Sequence, residues 1–253
     1  MKFQNALSLF LLSILGLTSL SGCGSKDIVT HSPMPASHSS LPVPEKSKPF
    51  LLAIDRSGKR MKILDKNGIE VNNVPIGVGR GGLRPKQDMM DLVTPTGEFV
   101  VDLILYQNEK FNRVSPQLRE QYLDSQFREF FVDEQGLKKL FDNMNLLDFD
   151  GDGKSDRSYG IAYIGLNAAP TSAAITGPKM RHANWQGGGN TPYWFSIALH
   201  GTPNESSDIG KANSGGCIHV EQNVLKKLVE EGAIEIGTRV IITDNRLNSA
   251  KSP

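Results

Sequence analysis

The sequence has little cysteine, few aromatic residues and almost no net charge, and each shortage narrows what the chain does. Cysteine occurs only at Cys23 and Cys217 in 253 residues, so no network of disulfides holds the fold. Lys and Arg number 28 against 27 Asp and Glu, a net charge of +1 that gives no general case for a nucleic-acid partner. Aromatic residues make up 7% of the chain and apolar residues 38%, a modest supply that is still compatible with a packed core. No internal repeat is visible. The length suits one large domain or two small ones, and 25 glycines favour turns and a β-rich fold over a helical bundle.

The start of the chain reads as a targeting segment. Met1-Lys2 is positive, Ala6 to Leu17 is apolar, and Leu20-Ser21-Gly22-Cys23 follows. The apolar run is too short for a spanning helix, so residues 1–22 are expected to be a secretory signal. The ending resembles a bacterial lipobox, which implies that Cys23 carries lipid and anchors the chain to a membrane. The plainer alternative is an ordinary signal cleaved nearby, with Cys23 an ordinary thiol. The anchor reading implies an exported protein, on the periplasmic side of an outer membrane where the cell has one, otherwise on the outer face of the cell membrane. Residues 23–48 are rich in Ser, Pro, His and Lys and read as a disordered tether, with His31 and His38 solvated. If Cys23 is lipidated, Cys217 has no disulfide partner, and a lone exported thiol points to chemistry rather than packing.

The folded part is expected from Pro49 to Asn245, with a tail over 246–253. Strands are read at Phe50–Ile54, Met61–Leu64, Val74–Val78, Glu98–Leu105, Trp194–Leu199 and Arg239–Thr243, with a hairpin signal at Lys66-Asn67-Gly68. A helix is expected after Ser115-Pro116, where apolar residues recur at helical spacing from Leu118 to Phe131. A second spans Gln222–Glu231 and stops at Gly232. Gly77-Val78-Gly79-Arg80-Gly81-Gly82 matches G-x-G-x-x-G literally. A dinucleotide site is rejected, because Leu83-Arg84-Pro85-Lys86 does not open the helix that would hold a pyrophosphate.

The chemistry concentrates late in the chain. Ile197-Ala198-Leu199-His200-Gly201-Thr202 is followed by Ser214-Gly215-Gly216-Cys217-Ile218-His219. A thiol needs a nearby base or a lowered pKa to attack a carbonyl at neutral pH. His200 ends a strand-like run, and the glycines before Cys217 let backbone amides turn toward a developing oxyanion. The alternative is a buried free cysteine beside an unrelated loop histidine.

These residues resemble the catalytic domain of the L,D-transpeptidase family, marked by His-Gly, a variable loop and Ser-x-Gly-Cys followed by an apolar and a basic residue. Thr94-Pro95-Thr96-Gly97-Glu98-Phe99 and Gly237-Thr238-Arg239-Val240 resemble two further family segments, in the right order. The resemblance covers roughly Pro49 to Leu105 and Tyr193 to Asp244. It implies a mostly β fold, a mixed β-sandwich with one late helix and a helical or loop insertion over about residues 106–191. It implies Cys217 as nucleophile, His200 as general base and acid, the Gly201 carbonyl as the group orienting His200, and the Gly216 amide as an oxyanion donor. Ser214, His219, Tyr193 and Trp194 are then expected to shape or contact the substrate. The implied partners are peptidoglycan stem peptides; the reaction is acyl transfer from a tetrapeptide stem, forming 3–3 cross-links or attaching proteins, with no catalytic cofactor. Alternatives are an L,D-carboxypeptidase, an amidase detaching wall-linked proteins, or a wall-binding lipoprotein without activity. The common family form has His where this chain has Gly215 and Arg where it has His219, which leaves substrate choice and transfer versus hydrolysis open. The oligomeric state is not legible.

Within the insertion, Asp148, Asp150, Asp152, Lys154 and Asp156 surround Gly151 and Gly153. Alternating carboxylates with a glycine at the sixth position resemble a calcium loop, Lys154 acting through its carbonyl, though Tyr159 stands at the twelfth position. Calcium is expected to be structural; the alternative is a solvated acidic turn. Trp185, Tyr193 and Trp194 precede the His200 strand as groove or core candidates, and His182 reads as a surface residue.

Overall fold

A computed structural model of the chain describes residues 51–86, 91–168 and 197–244. The signal, the tether, Cys23, His182, Trp185, Tyr193 and Trp194 lie outside these residues.

Strands β1 (Leu51–Asp55) and β2 (Arg60–Leu64) form the expected first hairpin, and in β2 Met61 and Ile63 are buried between exposed Arg60 and Lys62. β3 (Glu70–Gly79) and β4 (Gly97–Tyr106) are longer than expected, ten residues each. β5 (Arg113–Val114) is a short appendage of β4. Next come helices α1 (Pro116–Leu123), α2 (Arg128–Phe131) and α3 (Glu134–Asn145). Strands β6 (Ala162–Ala168) and β7 (Ala198–His200), the one-turn helix α4 (Glu205–Asp208), strands β8 (Ala212–Ser214) and β9 (Ile218–Val220), helix α5 (Gln222–Glu230) and strand β10 (Arg239–Thr243) complete the order.

The sheet runs β10-β1-β2-β3-β9-β7-β6-β4-β5, with β8 beside β3. β4 also pairs with β10, so the sheet closes on itself. The pairs β1–β10, β3–β8 and β7–β9 are parallel and the rest antiparallel. The fold is therefore mostly β and mixed, and the two expected layers are parts of one closed sheet.

β4 is buried along most of its length because it serves two cores. Phe99, Val101, Ile104 and Tyr106 join the interior of the sheet, while Leu103 and Leu105 join a second core under the helices. Strand residues alternate faces, so Val101 and Ile104 share a face only if one residue is added between them. A register shift at Val101/Leu103 does this. The second core takes Leu118 from α1, Phe130 and Phe131 from α2, and Leu137, Leu140 and Phe141 from α3.

Two corrections follow. The helical stretch expected to run from Ser115 to Phe131 is broken at Asp124, and α3 was not expected. Its signals are present: Asp133 caps the Gly136 amide at 2.8 Å, and Leu137, Leu140 and Phe141 lie at i, i+3 and i+4. The insertion expected over 106–191 is also not wholly an addition, since β6 pairs with both β4 and β7 in the middle of the sheet. β6 was missed because Ala162 to Leu166 is buried without polar alternation.

The bulge leaves Asp102 7% exposed, where burial raises its pKa to about 7 despite a hydrogen bond with Asn167. The folded state therefore holds this proton more tightly than the unfolded chain. Stability is greatest below the ordinary carboxylate pKa and falls as pH rises toward 7. Asp102→Asn is expected to remove this loss, gaining about 1–3 kcal/mol over the parent at pH 8 and little at pH 4. Urea melts at the two pH values check it; an equal effect at both would contradict it.

Candidate active site

The parallel pairing of β7 and β9 builds the site. Its register sets Leu199 opposite Ile218 and His200 opposite His219, so Cys217, one residue before β9, lies alongside Ala198 at the start of β7. The Cys217 thiol is half-buried and accepts a hydrogen bond from the Ala198 amide.

His200 is 5% exposed, and its Nδ1 lies 2.6 Å from the Gly201 carbonyl oxygen. That contact places a proton on Nδ1 and leaves Nε2 as an acceptor. The rings of Tyr159 and His219 stand edge-on to His200 at 5.1 Å and 4.9 Å, and Tyr163 stacks at 6.3 Å. Burial first, and the nearby His219 second, lower the His200 pKa to about 3. Burial also pushes the Cys217 thiol above its ordinary value, against the Ala198 amide and the Lys86 charge. At rest the pair is a neutral thiol beside a neutral imidazole.

The turn before Cys217 is tied from within and below. Ser214 Oγ donates to the Cys217 carbonyl at 2.5 Å and accepts from the Gly216 amide at 3.1 Å. This corrects one expectation: the Gly216 amide is occupied in shaping the turn rather than turned toward an oxyanion. Gly216 has φ +124°, where a side chain is strained, and a Cβ there would meet the Val93 carbonyl oxygen at 3.2 Å. Its own carbonyl accepts from Thr94 Oγ1 at 2.8 Å, and Thr94 Oγ1 accepts from the Gly79 amide at 2.8 Å. A Cβ on Gly79 would meet the Leu92 carbonyl oxygen at 2.2 Å and the Gly216 Cα at 3.1 Å. The glycine-rich segment rejected as a nucleotide site thus lets backbone approach backbone beneath the cysteine turn.

His219 is partly buried, its enclosed Nδ1 lacking a hydrogen bond and lying 3.6 Å from Asp208 Oδ2. Asp208 also accepts from Thr202 Oγ1, from Asn213 Nδ2 at 2.7 Å and from Ser207 Oγ at 3.0 Å. Burial pushes the Asp208 carboxyl up, but these hydrogen bonds and His219 bring it below its ordinary value. Burial, opposed by Asp208, lowers the His219 pKa. Of the expected residues, the structure brings together Cys217, His200, Gly201, Gly216, Ser214 and His219. Thr94, Lys86, Tyr159 and Asp208 also meet there and were not anticipated as site residues, although Thr94, Lys86 and Tyr159 lie in segments read for other reasons.

The acidic loop stands apart from this site. Asp148, Asp150 and Asp156 bring one oxygen each within 4.8 Å of one another, and Asp152 is not in that cluster. Asp148 accepts from the Gly151 and Gly153 amides, at 2.6 Å and 2.9 Å, and Asp156 from the Phe149 amide at 2.6 Å. Asp152 accepts from the Lys154 amide at 2.8 Å. The loop is closed by its own hydrogen bonds, and acidic convergence alone does not assign a cation.

Comparison with known proteins follows the same lines. The solved structures that match include Bd1075 of Bdellovibrio bacteriovorus, at 18% identity and TM-score 0.43, covering 79% of this chain and 49% of that one. The helical cell shape determining protein Pgp2 of Campylobacter jejuni matches at 14% identity and TM-score 0.44, covering 77% and 47%. An L,D-transpeptidase of Xylanimonas cellulosilytica matches at 15% identity and TM-score 0.35, covering 80% and 64%. The chain thus spans about half to two thirds of these proteins' lengths. No curated protein matches. The family model of the L,D-transpeptidase catalytic domain, YkuD, matches residues 49–242, and the chain belongs to that family.

Proposed function

We propose that the chain carries out acyl transfer on peptidoglycan stem peptides, with Cys217 as nucleophile and His200 as base and acid. The observation that carries the reading is the His200–Gly201 contact at 2.6 Å on a strand paired in parallel with the one that Cys217 precedes. In the first half-reaction His200 Nε2 takes the thiol proton as sulfur attacks the carbonyl after the third residue of a tetrapeptide stem. The tetrahedral oxyanion is held by amides of the Gly215–Cys217 turn other than that of Gly216. The C–N bond breaks, His200 returns its proton to the departing D-alanine amine, and a thioester remains. In the second half-reaction an amine attacks the thioester, His200 takes its proton, and the thiol is restored. Water in place of the amine gives trimming or detachment. The chemistry uses no cofactor.

Incubating the full chain with tetrapeptide muropeptides, followed by mass analysis, separates cross-linked dimers from tripeptide monomers and detects an acyl adduct on Cys217. Cys217→Ala is expected to lose about three orders of magnitude or more in turnover, and His200→Ala about 10²–10⁴-fold. Full activity in Cys217→Ala, or no product and no adduct with the parent chain, would overturn the reading.

Burial keeps His200 in its basic form until the pH falls toward about 3. The kcat/KM is therefore expected to stay flat between about pH 5 and pH 7, with no acid limb at the ordinary histidine value. A limb centred near pH 6.5 would assign the base to a different group.

We also propose that Cys23 carries a lipid that holds the chain at a membrane. Cells expressing the chain are expected to place it in the detergent-rich phase of a Triton X-114 partition, and Cys23→Ser to move it to the aqueous phase. Unchanged partitioning would refute the anchor.

A further inference from the structure

One buried cation near the site has no part in the chemistry above. Lys86 lies in the loop after β3, and its side chain is 3% exposed. Its ammonium contacts Asp91 Oδ1 at 2.9 Å and the Val93 carbonyl oxygen at 3.0 Å. The same ammonium lies 3.6 Å from the point where a Cβ on Gly216 would stand, so it sits directly under the cysteine turn. Asp91 is equally buried, and its Oδ2 is engaged by Arg84 Nη1 at 3.3 Å. The cluster is thus two cations around one carboxylate. Arg84 is half exposed, so its charge is screened by water, whereas that of Lys86 is not. Lys86 and Asp91 thus form a buried ion pair, and the ammonium end lies toward the residue that precedes the nucleophile.

Among the described residues, the other ionisable groups around Cys217 do not supply such a charge. Tyr159 and Tyr163, approaching from β6 and the turn before it, are pushed far up by burial and stay neutral. His200 on β7 and His219 on β9 are pushed down by burial and stay neutral above their ordinary range. Asp208 on α4 is anionic but faces His219 and Thr202. With a neutral His200, the negative charge that forms on sulfur has no imidazolium waiting for it. Among the described residues, the Ala198 amide and then the Lys86 charge favour the Cys217 thiolate against its burial.

We propose that Lys86, held under the Gly216 turn by Asp91 and the Val93 carbonyl, is a positioning and electrostatic residue that stabilises the Cys217 thiolate as the proton leaves for His200. The inference rests on the reading of Cys217 as nucleophile. A nearby opposite charge shifts an ionisation by about one unit or more in a water-poor site. A partly desolvated thiol beside a neutral imidazole is made a better nucleophile by a nearby cation of this kind.

The test measures the thiolate directly. The full chain is alkylated with iodoacetamide from about pH 6 to about pH 9.5, where thiolate displaces iodide and free thiol does not react appreciably. The rate is read by mass spectrometry on the peptide that bears Cys217, which keeps Cys23 out of the signal. Lys86→Met is expected to raise the midpoint of the rate profile by about one pH unit, and Lys86→Arg to return it toward the parent. A merely structural role would change the rate at every pH and leave the midpoint in place. Lys86→Gln, which keeps a donor for the Val93 carbonyl, gives the same reading should Lys86→Met melt below the assay temperature. An unmoved or lowered midpoint in the folded neutral variant overturns the inference, as does a Lys86→Arg midpoint equal to that of the neutral variant. Because alkylation needs no peptidoglycan, that failure is distinct from a failure of the proposed reaction, which the muropeptide assay reads on the parent chain.

Discussion

The site depends on the register of two three-residue strands. β7 and β9 run parallel, His200 opposite His219, and this brings the imidazole and the thiol to one region of the sheet from positions 17 residues apart. Parallel neighbours need a crossover, and here the crossover from His200 to Cys217 carries α4 and β8. A slip of one residue would turn His200 to the opposite face of the sheet. That register is held from both sides as well, since β9 also pairs with β3, Gly77 opposite His219, and β7 also pairs with β6, His200 opposite Tyr163. Short strands are weak individually; in the middle of a closed sheet they have no edge from which to fray.

The cysteine turn is supported from a different direction. Arg56, 3% exposed, forms a bidentate pair with Asp244 and donates to the carbonyls of Thr94 and Leu83, at 2.5 Å and 2.6 Å. It joins the first hairpin, the end of β10 and the two sides of the loop between β3 and β4. Five guanidinium donors in one plane suit such a junction, which an ammonium would not span. Thr94 passes the constraint on, holding the Gly216 carbonyl with its hydroxyl while Arg56 holds its backbone. The fixed position of Lys86 belongs to the same loop.

Much of this was legible in the sequence, and the parts that were not share a cause. The His200-Gly201 and Ser214 to Cys217 segments declare themselves because thiol chemistry needs those residue types, and Thr94-Pro95 and Gly237-Thr238 because their turns need theirs. The hairpins, β10 and the α5 boundaries followed from alternation and from Gly232, which has φ +72°. β6 was hidden because burial on both sides erases alternation. α3 was hidden by a polar first turn that drew attention away from its i, i+3, i+4 stripe. Lys86 and Asp91 were invisible for a deeper reason: two charged residues in a polar loop look solvated until the fold encloses them. The occupied Gly216 amide was equally unreadable, since a glycine supplies an amide but not its direction.

The same enclosure decides how the pair works. Excluding water raises the cost of charge on sulfur and on imidazole alike, which is why both groups rest neutral. It also strengthens every fixed charge and dipole that remains inside. The Ala198 amide at the thiol and the Lys86 ammonium beneath the turn therefore act where the transferred proton leaves its charge behind. On the imidazole side the Gly201 carbonyl does the corresponding work, accepting from Nδ1 as positive charge develops on the ring. Among the described residues no carboxylate is hydrogen-bonded to His200; Asp208 lies 3.6 Å from His219 and acts on His200 only as a weaker, more distant charge. A carbonyl dipole stabilises imidazolium less than a carboxylate would, so the ion pair forms only as the proton moves rather than being stored in the resting enzyme. Desolvation sets that balance, and the closed sheet with its second core beneath the helices is what supplies the desolvation.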